Sequence, residues 1–254
     1  MARHEGAYKA EGGLGHTQNC VAEALRDCGL QVRDRDCELL ARHLDLVIDK
    51  NRTLNLTRID SVEDGAYLHV ADSLLLLNAV RTAPAGPLLD IGTGAGFPGI
   101  PLSIVAHRRG TLVDSVGKKV AAVREFLQEL ELDAYLEARH VRVEDLAREQ
   151  RGHYAVITAR AVAQSNVLVE YAAPLLQGRG RLVVAKARPS EDELDAADRA
   201  AVLCGLKRVS RETFELPNGR GHREVISFER VGKPSVRLPR ATGMAKKNPL
   251  GVES

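Results

Sequence analysis

The stretch with the clearest chemical content is Leu88-Leu89-Asp90-Ile91-Gly92-Thr93-Gly94-Ala95-Gly96-Phe97-Pro98-Gly99-Ile100-Pro101. An apolar strand runs straight into alternating glycines, then into a helix that tolerates Pro98 or Pro101 only in its first turn. Glycines let the backbone turn sharply and approach a ligand with no Cβ in the way, and the helix beyond offers unpaired N–H groups. Such a loop suits a dinucleotide or S-adenosyl-L-methionine. Gly94-x-Gly96-x-x-Gly99 satisfies the dinucleotide spacing, and Asp114 lies 20 residues past Gly94, where a ribose-binding acid belongs. Against a diphosphate stand Pro98, which has no N–H to donate, and Asp90, an acid at the strand end. The ammonium of a methionine-derived donor would tolerate Asp90, and Asp114 would accept both ribose hydroxyls. Gly92, Gly94 and Asp114 are thus cofactor candidates. The two acids favour the methyl donor, with an NAD(P)-dependent oxidoreductase as the alternative.

Methyl transfer from a sulfonium needs a positioned lone pair rather than a strong base. The chain lacks the machinery that other acceptors demand. Its fourth strand ends Thr158-Ala159-Arg160-Ala161, with no Asn/Asp-Pro-Pro-Tyr motif to grip an exocyclic amine, and no Pro-Cys pair supplies a covalent thiolate. A ring nitrogen such as guanine N7 fits this pattern, and no residue is assigned a catalytic role. A methyltransferase of a small molecule or protein, and a non-catalytic RNA-binding factor, are the other readings.

These residues must be held by regular elements. Helical periodicity covers 18–30, 34–51 and 62–80, with Leu39, Leu40, Leu44, Val47 and Ile48 forming one apolar stripe. From Pro87 short apolar runs alternate with amphipathic ones. Strands are expected at 88–91, 111–113, 135–138, 154–158 and 181–185, and helices at 98–107, 117–131, 142–149, 164–177 and 190–203. That alternation predicts an α/β fold, a parallel sheet with helices on both faces. Strands at 207–214 and 223–228, joined by Asn218-Gly219-Arg220-Gly221, would close it as an antiparallel pair. The division expected is a disordered extension 1–17, a helical segment 18–82, a catalytic domain 83–230 and a basic tail 231–254.

Composition narrows the class. Apolar residues make up 44% and charged residues 28% of 254, ample for a globular core. No apolar run approaches the roughly 18 residues that span a bilayer, and Met1–Asn19 has no apolar signal-peptide core, so a cytoplasmic protein without a membrane partner is expected. Cysteines 20, 28, 37 and 204 form no CxxC or CxxxxC pair, which predicts reduced thiols and no metal. The net charge of +2 hides a tail, 231–254, that carries +4. A basic tail suits RNA, and deleting 239–254 is expected to weaken RNA binding while sparing donor affinity.

Several short motifs occur together and in order: Asn55-Leu56-Thr57, His69-x-x-Asp72-Ser73-Leu74, the glycine loop, Asp114-Ser115-x-x-Lys118-Lys119, Arg142-Val143-Glu144 and Arg160-Ala161-Val162-Ala163. On these residues the chain resembles the small-subunit ribosomal RNA methyltransferase G family (glucose-inhibited division protein B) over about 35–250. The resemblance implies a Rossmann-like class I S-adenosylmethionine-dependent methyltransferase sheet behind an N-terminal helical segment. It also implies transfer to guanine N7 of 16S ribosomal RNA, presented within a small ribosomal subunit particle. Carried over by position, donor contacts fall on Gly92, Phe97, Val143, Glu144 and Arg160. Phe97 would wall the donor's apolar side, Val143 pack on adenine, Glu144 meet its polar edge, and Arg160 pair with a carboxylate or phosphate. Lys186 and Arg223 match basic family positions and, with Arg142, are candidates for RNA phosphates. His69 and Asp72, three apart on a helix, would share a hydrogen bond.

Overall fold

The strand at Leu88–Ile91 (β1) is buried along its whole length, as a central parallel strand must be when both faces are covered. In the computed structural model, which describes residues 14–252, β1 pairs in parallel with Gly110–Asp114 (β2) on one side and Tyr154–Arg160 (β4) on the other. Leu136–His140 (β3) extends the first half, and Leu176–Lys186 (β5), Gly221–Arg230 (β7) and Leu206–Leu216 (β6) extend the second. The order is β3-β2-β1-β4-β5-β7-β6, and β7 alone runs antiparallel to the other six strands. The order of strand addition reverses between the parallel neighbours β1 and β4, so the crevice outside their carboxyl ends is where an open α/β sheet binds its ligand.

Strict two-residue alternation divides the core. Leu88, Leu112, Val156 and Val183 face one side, while Leu89, Val113, Ile157 and Leu182 face the other. The first side is covered by helices α1 (Leu14–Asp27), α2 (Asp34–Leu54), α6 (Gly99–Ala106) and α7 (Gly117–Glu129). The expected stripe of α2 is realised: Leu40, Leu44 and Val47 are fully buried, with Leu39 and Ile48 at its margin. The second side takes α8 (Val143–Glu149), α9 (Ser165–Ala172) and α10 (Glu191–Cys204).

Four expectations shift. The last residues of the supposed extension 1–17 form the first turn of α1, where Thr17 is buried and donates to Asp45 Oδ1; residues 1–13 lie outside the described residues. The helix expected over 62–80 is broken: α3 (Val62–Gly65) passes into a π-helical turn at Ala66–Ala71, a short α4 (Asp72–Leu74) and, after a turn, α5 (Leu77–Arg81). The π-turn re-aims the side chains of His69 and Asp72, which a plain 3.6-residue repeat would place elsewhere. The helix expected to 177 stops at Ala172, because Pro174 cannot continue it and β5 begins at Leu176. The tail is folded onto the second face: Leu238 and Ala245 are core residues, and α11 (Met244–Lys247) packs near α9.

Candidate active site

After β1 the backbone takes left-handed conformations at Gly92, Gly94 and Gly96 (φ 68°, 59° and 95°), which side chains other than glycine rarely adopt. The loop's amides are taken up internally. Gly92 and Thr93 donate to Val113 O, Gly96 and Phe97 to Thr93 O, and Ile100 to Gly96 O. Gly94 N–H donates to Asp114 Oδ2 at 3.1 Å, and Gly99 N–H to Asp90 Oδ2 at 3.0 Å. A dinucleotide's pyrophosphate needs such donors open at the loop and the helix start. Here seven of these amides are occupied, which leaves a diphosphate few donors and counts against the oxidoreductase reading.

Asp90, the strand-end acid that an ammonium would tolerate, has its own partners inside the chain. It is fully buried, and its other oxygen accepts from Thr158 Oγ1 at 2.8 Å, so it pins α6 to β4. Burial pushes its pKa up to about 6 despite the hydrogen bonds from Thr158 and Gly99 and the charge of Arg160. Between about pH 4 and 6 the unfolded chain has released this proton while the folded chain keeps it. Asp90 thus makes stability fall as pH rises through that window. A carboxyl titration by carbon-13 NMR is expected to place Asp90 near 6, and Asp90→Asn to remove its share of the slope; a midpoint near 4 would contradict the burial argument.

Beside the loop lies a cleft of about 260 Å³ lined by Gly92, Asp114, Arg142, Val143 and Glu144, together with Lys119, Ala161, Val162, Tyr171 and Lys246. It gathers five of the predicted site residues. Asp114 ends β2 with its carboxylate held by the Gly94 and Val116 amides, one on each oxygen, leaving lone pairs for a ligand. Val113, Val141 and Val143 supply apolar wall. Glu144 is buried, and its Oε1 accepts from Gly243 N at 2.8 Å, so this carboxylate anchors the C-terminal segment. Ala161 sits at φ 56°, a strained conformation held at the cleft wall.

A second group lies beyond the cleft lining. Phe97 is 5% exposed and enclosed by rings: His69 stacks on it at 4.6 Å and His43 lies at 4.5 Å. It stands outside the cleft lining and packs against the back of the loop. Burial holds His43 at about 4, and burial with the Arg160 charge holds His69 at about 3, so both imidazoles are neutral at pH 7. His69 does not bond Asp72; its Nε2 lies 3.0 Å from Thr57 Oγ1. Asp72 is instead clasped by two arginines, Arg160 Nη1 at 2.6 Å and Arg223 Nε at 2.8 Å. Arg160 also donates to Leu68 O, and its guanidinium lies 5.8 Å from the Phe97 ring centroid.

Lys186 stands apart, paired with Glu193 at 2.7 Å and donating to Ala163 O. Of the three RNA candidates only Arg142 is exposed; Lys186 and Arg223 are committed to carboxylates because each strand end meets an acidic helix or turn. Sequence reasoning missed Asp72 as a hub and Tyr171 and Lys246 as cleft walls. The last two come from α9 and α11, far along the chain, and no local spacing marks them. The basic character of residues 246–247 was the one available signal.

The sheet order, the loop at the β1–β4 divide and the acid ending β2 define a class I methyltransferase fold. A solved geranyl diphosphate C-methyltransferase from Streptomyces coelicolor, in complex with Mg2+, geranyl diphosphate and S-adenosyl-L-homocysteine, shares it, with TM-score 0.51 at 15% identity over 63% of this chain and 80% of that one. The family model described as rRNA small subunit methyltransferase G matches residues 36–223, and the chain belongs to that family. It is 37% identical over 239 residues to the ribosomal RNA small subunit methyltransferase G of Chloroflexus aggregans, covering 93% of this chain and 99% of that one. The protein of the same name from Synechococcus sp. is 37% identical over 234 residues, 89% of this chain and 90% of the other.

Proposed function

We propose that the protein methylates N7 of a guanine in 16S ribosomal RNA, carried within a small-subunit particle in the cytoplasm. As a family member it is an S-adenosylmethionine-dependent methyltransferase of small-subunit ribosomal RNA. The cleft fits that donor: Asp114 keeps acceptor lone pairs for ribose hydroxyls, valines wall the space an adenine needs, and most of the loop's amides are already bonded within the chain. Gly92, Asp114, Val143 and Glu144 are the residues we assign to holding it, with Gly94 shaping the turn. Phe97 and Arg160 support the loop from the other side. When bound, S-adenosylmethionine supplies an electrophilic methyl group on a positively charged sulfur.

The observation that carries the N7 reading is the state of the acids and bases around the loop. Asp90 and Asp72 are buried and paired, and His43 and His69 are poor proton acceptors. An acceptor that must lose a proton would find little help, whereas guanine N7 offers a lone pair and keeps no proton there. Exposed Arg142 supplies positive charge for RNA phosphates, so binding should weaken as salt rises. Mass mapping of 16S RNA from cells with and without the gene tests the reading. One 7-methylguanine that disappears with the gene is the expected result. Methylation at an exocyclic amine, or activity on small acceptors alone, would overturn it.

Gly92→Asp checks the donor assignment. A Cβ there meets Val162 Cγ2 at 2.5 Å, and the residue must also hold φ 68°. Loop displacement is expected to weaken S-adenosylhomocysteine binding by about 100-fold, on the order of 3 kcal/mol, read by calorimetry. Wild-type affinity would show that the loop does not contact the donor.

A further inference from the structure

Away from the cleft, three side chains of metal-binding type meet on the outer side of the N-terminal helices. His16 and Cys20 are one turn apart on α1 and so project from one face. Glu63 reaches them from the first turn of α3. His16 Nε2 lies 2.9 Å from Glu63 Oε1 and 3.7 Å from Cys20 Sγ, and the three ligand atoms all fall within 4.8 Å of one another. A tetrahedral zinc bound at about 2.0–2.3 Å keeps its ligand atoms roughly 3.2–3.8 Å apart, so side-chain rotation alone closes the set. Imidazole nitrogen, thiolate and carboxylate together suit a borderline divalent ion rather than Mg2+ or Ca2+.

We propose that His16, Cys20 and Glu63 form a Zn2+ site with three protein ligands and a water, tying α1 to the helix that leads into His69 and Asp72. On binding, the Cys20 S–H bond breaks and its proton passes to solvent as the sulfur–zinc bond forms. His16 Nε2 and a Glu63 oxygen add lone pairs, and no electron is transferred. Burial and the nearby Glu63 and Glu23 carboxylates favour the thiol form of Cys20 in the metal-free protein, and a bound cation offsets both carboxylates. The spacing rules that find zinc clusters in a sequence pass over this set, because its third ligand lies 47 residues beyond His16.

The test uses the chelator-treated full chain and Co2+ as a spectroscopic probe. One equivalent should produce a thiolate-to-cobalt charge-transfer band in the near ultraviolet and the visible bands of a tetrahedral ion, both abolished by Zn2+ displacement. Cys20→Ser should remove the charge-transfer band, and Glu63→Gln and His16→Ala should each lower Co2+ affinity by at least about tenfold. Cys28→Ser should change neither. Glu63→Gln is an exposed, near-isosteric change, so it keeps the test valid if Cys20→Ser folds poorly. Absence of one-equivalent binding, a thiolate band that persists in Cys20→Ser, or one lost in Cys28→Ser would each overturn the site.

Discussion

Asp72→Ala is expected to cost about 3–5 kcal/mol of stability, the range seen when one partner of a buried ion pair is removed. The Asp72 side chain is 6% exposed and its two partners only 14% and 19%, so water cannot take over the role of the carboxylate. Its loss leaves Arg160 and Arg223 facing each other without a counter-charge, and the two guanidiniums should move apart. Arg160 would then leave the Phe97 ring and the Leu68 carbonyl, the contacts that locate it behind the loop. Methyl transfer to a small-subunit particle should fall well over tenfold even where the variant folds. Urea denaturation gives the first quantity and single-turnover methylation the second. Asp72→Asn, combined in a cycle with Arg223→Gln, separates charge from shape. A stability loss below about 1 kcal/mol would place the pair in the class of solvated surface bridges.

Deleting 239–254 is expected to damage the donor site, contrary to the expectation from charge alone. Arg240 pairs through Nε with Glu170 Oε1 at 2.7 Å, and Glu170 is 4% exposed. The same segment brings the Gly243 amide to Glu144 and Lys246 to the cleft wall. The deletion strands two buried carboxylates and uncovers the apolar surface under Ala245. Stability should drop by several kcal/mol, at least about 3 from Glu170 alone. S-adenosylhomocysteine affinity should fall about tenfold or more, by calorimetry, because one wall of its pocket is gone. Arg240→Ala is the milder version. Unchanged donor affinity with weakened RNA binding would restore the segment to a purely RNA-binding role.

Much of the scaffold could be read from the chain because its signals are local. Apolar runs such as Leu88–Ile91 and Tyr154–Thr158, separated by amphipathic stretches, specify a doubly covered parallel sheet, and Asn218-Gly219 marks the hairpin between β6 and β7. The cleft we assign to the donor lies where local signals pointed, because Gly92 follows β1, Asp114 closes β2 and Val143 comes soon after β3. What could not be read is pairing across elements. Asp72 looks like an ordinary helical acid until the π-turn and the return of β7 bring Arg160 and Arg223 to it, 88 and 151 residues away. The same holds for Asp90, whose type suggested a ligand contact and whose burial makes it a brace. The tail's charge was plain, but its apolar anchors, Leu238 and Ala245, are too few to show a period.

The N-terminal helices and the first face of the sheet share one apolar core, with Leu40 and Leu44 in the same cluster as Leu88, Leu102 and Leu112. During synthesis, the residues of α1 to α5 emerge well before the strands that will cover them. Their greasy stripe therefore waits, uncovered, for later parts of the message to be translated. The nascent protein should be a client of ribosome-associated chaperones over that interval, and a pause placed just before β1 should raise its tendency to clump.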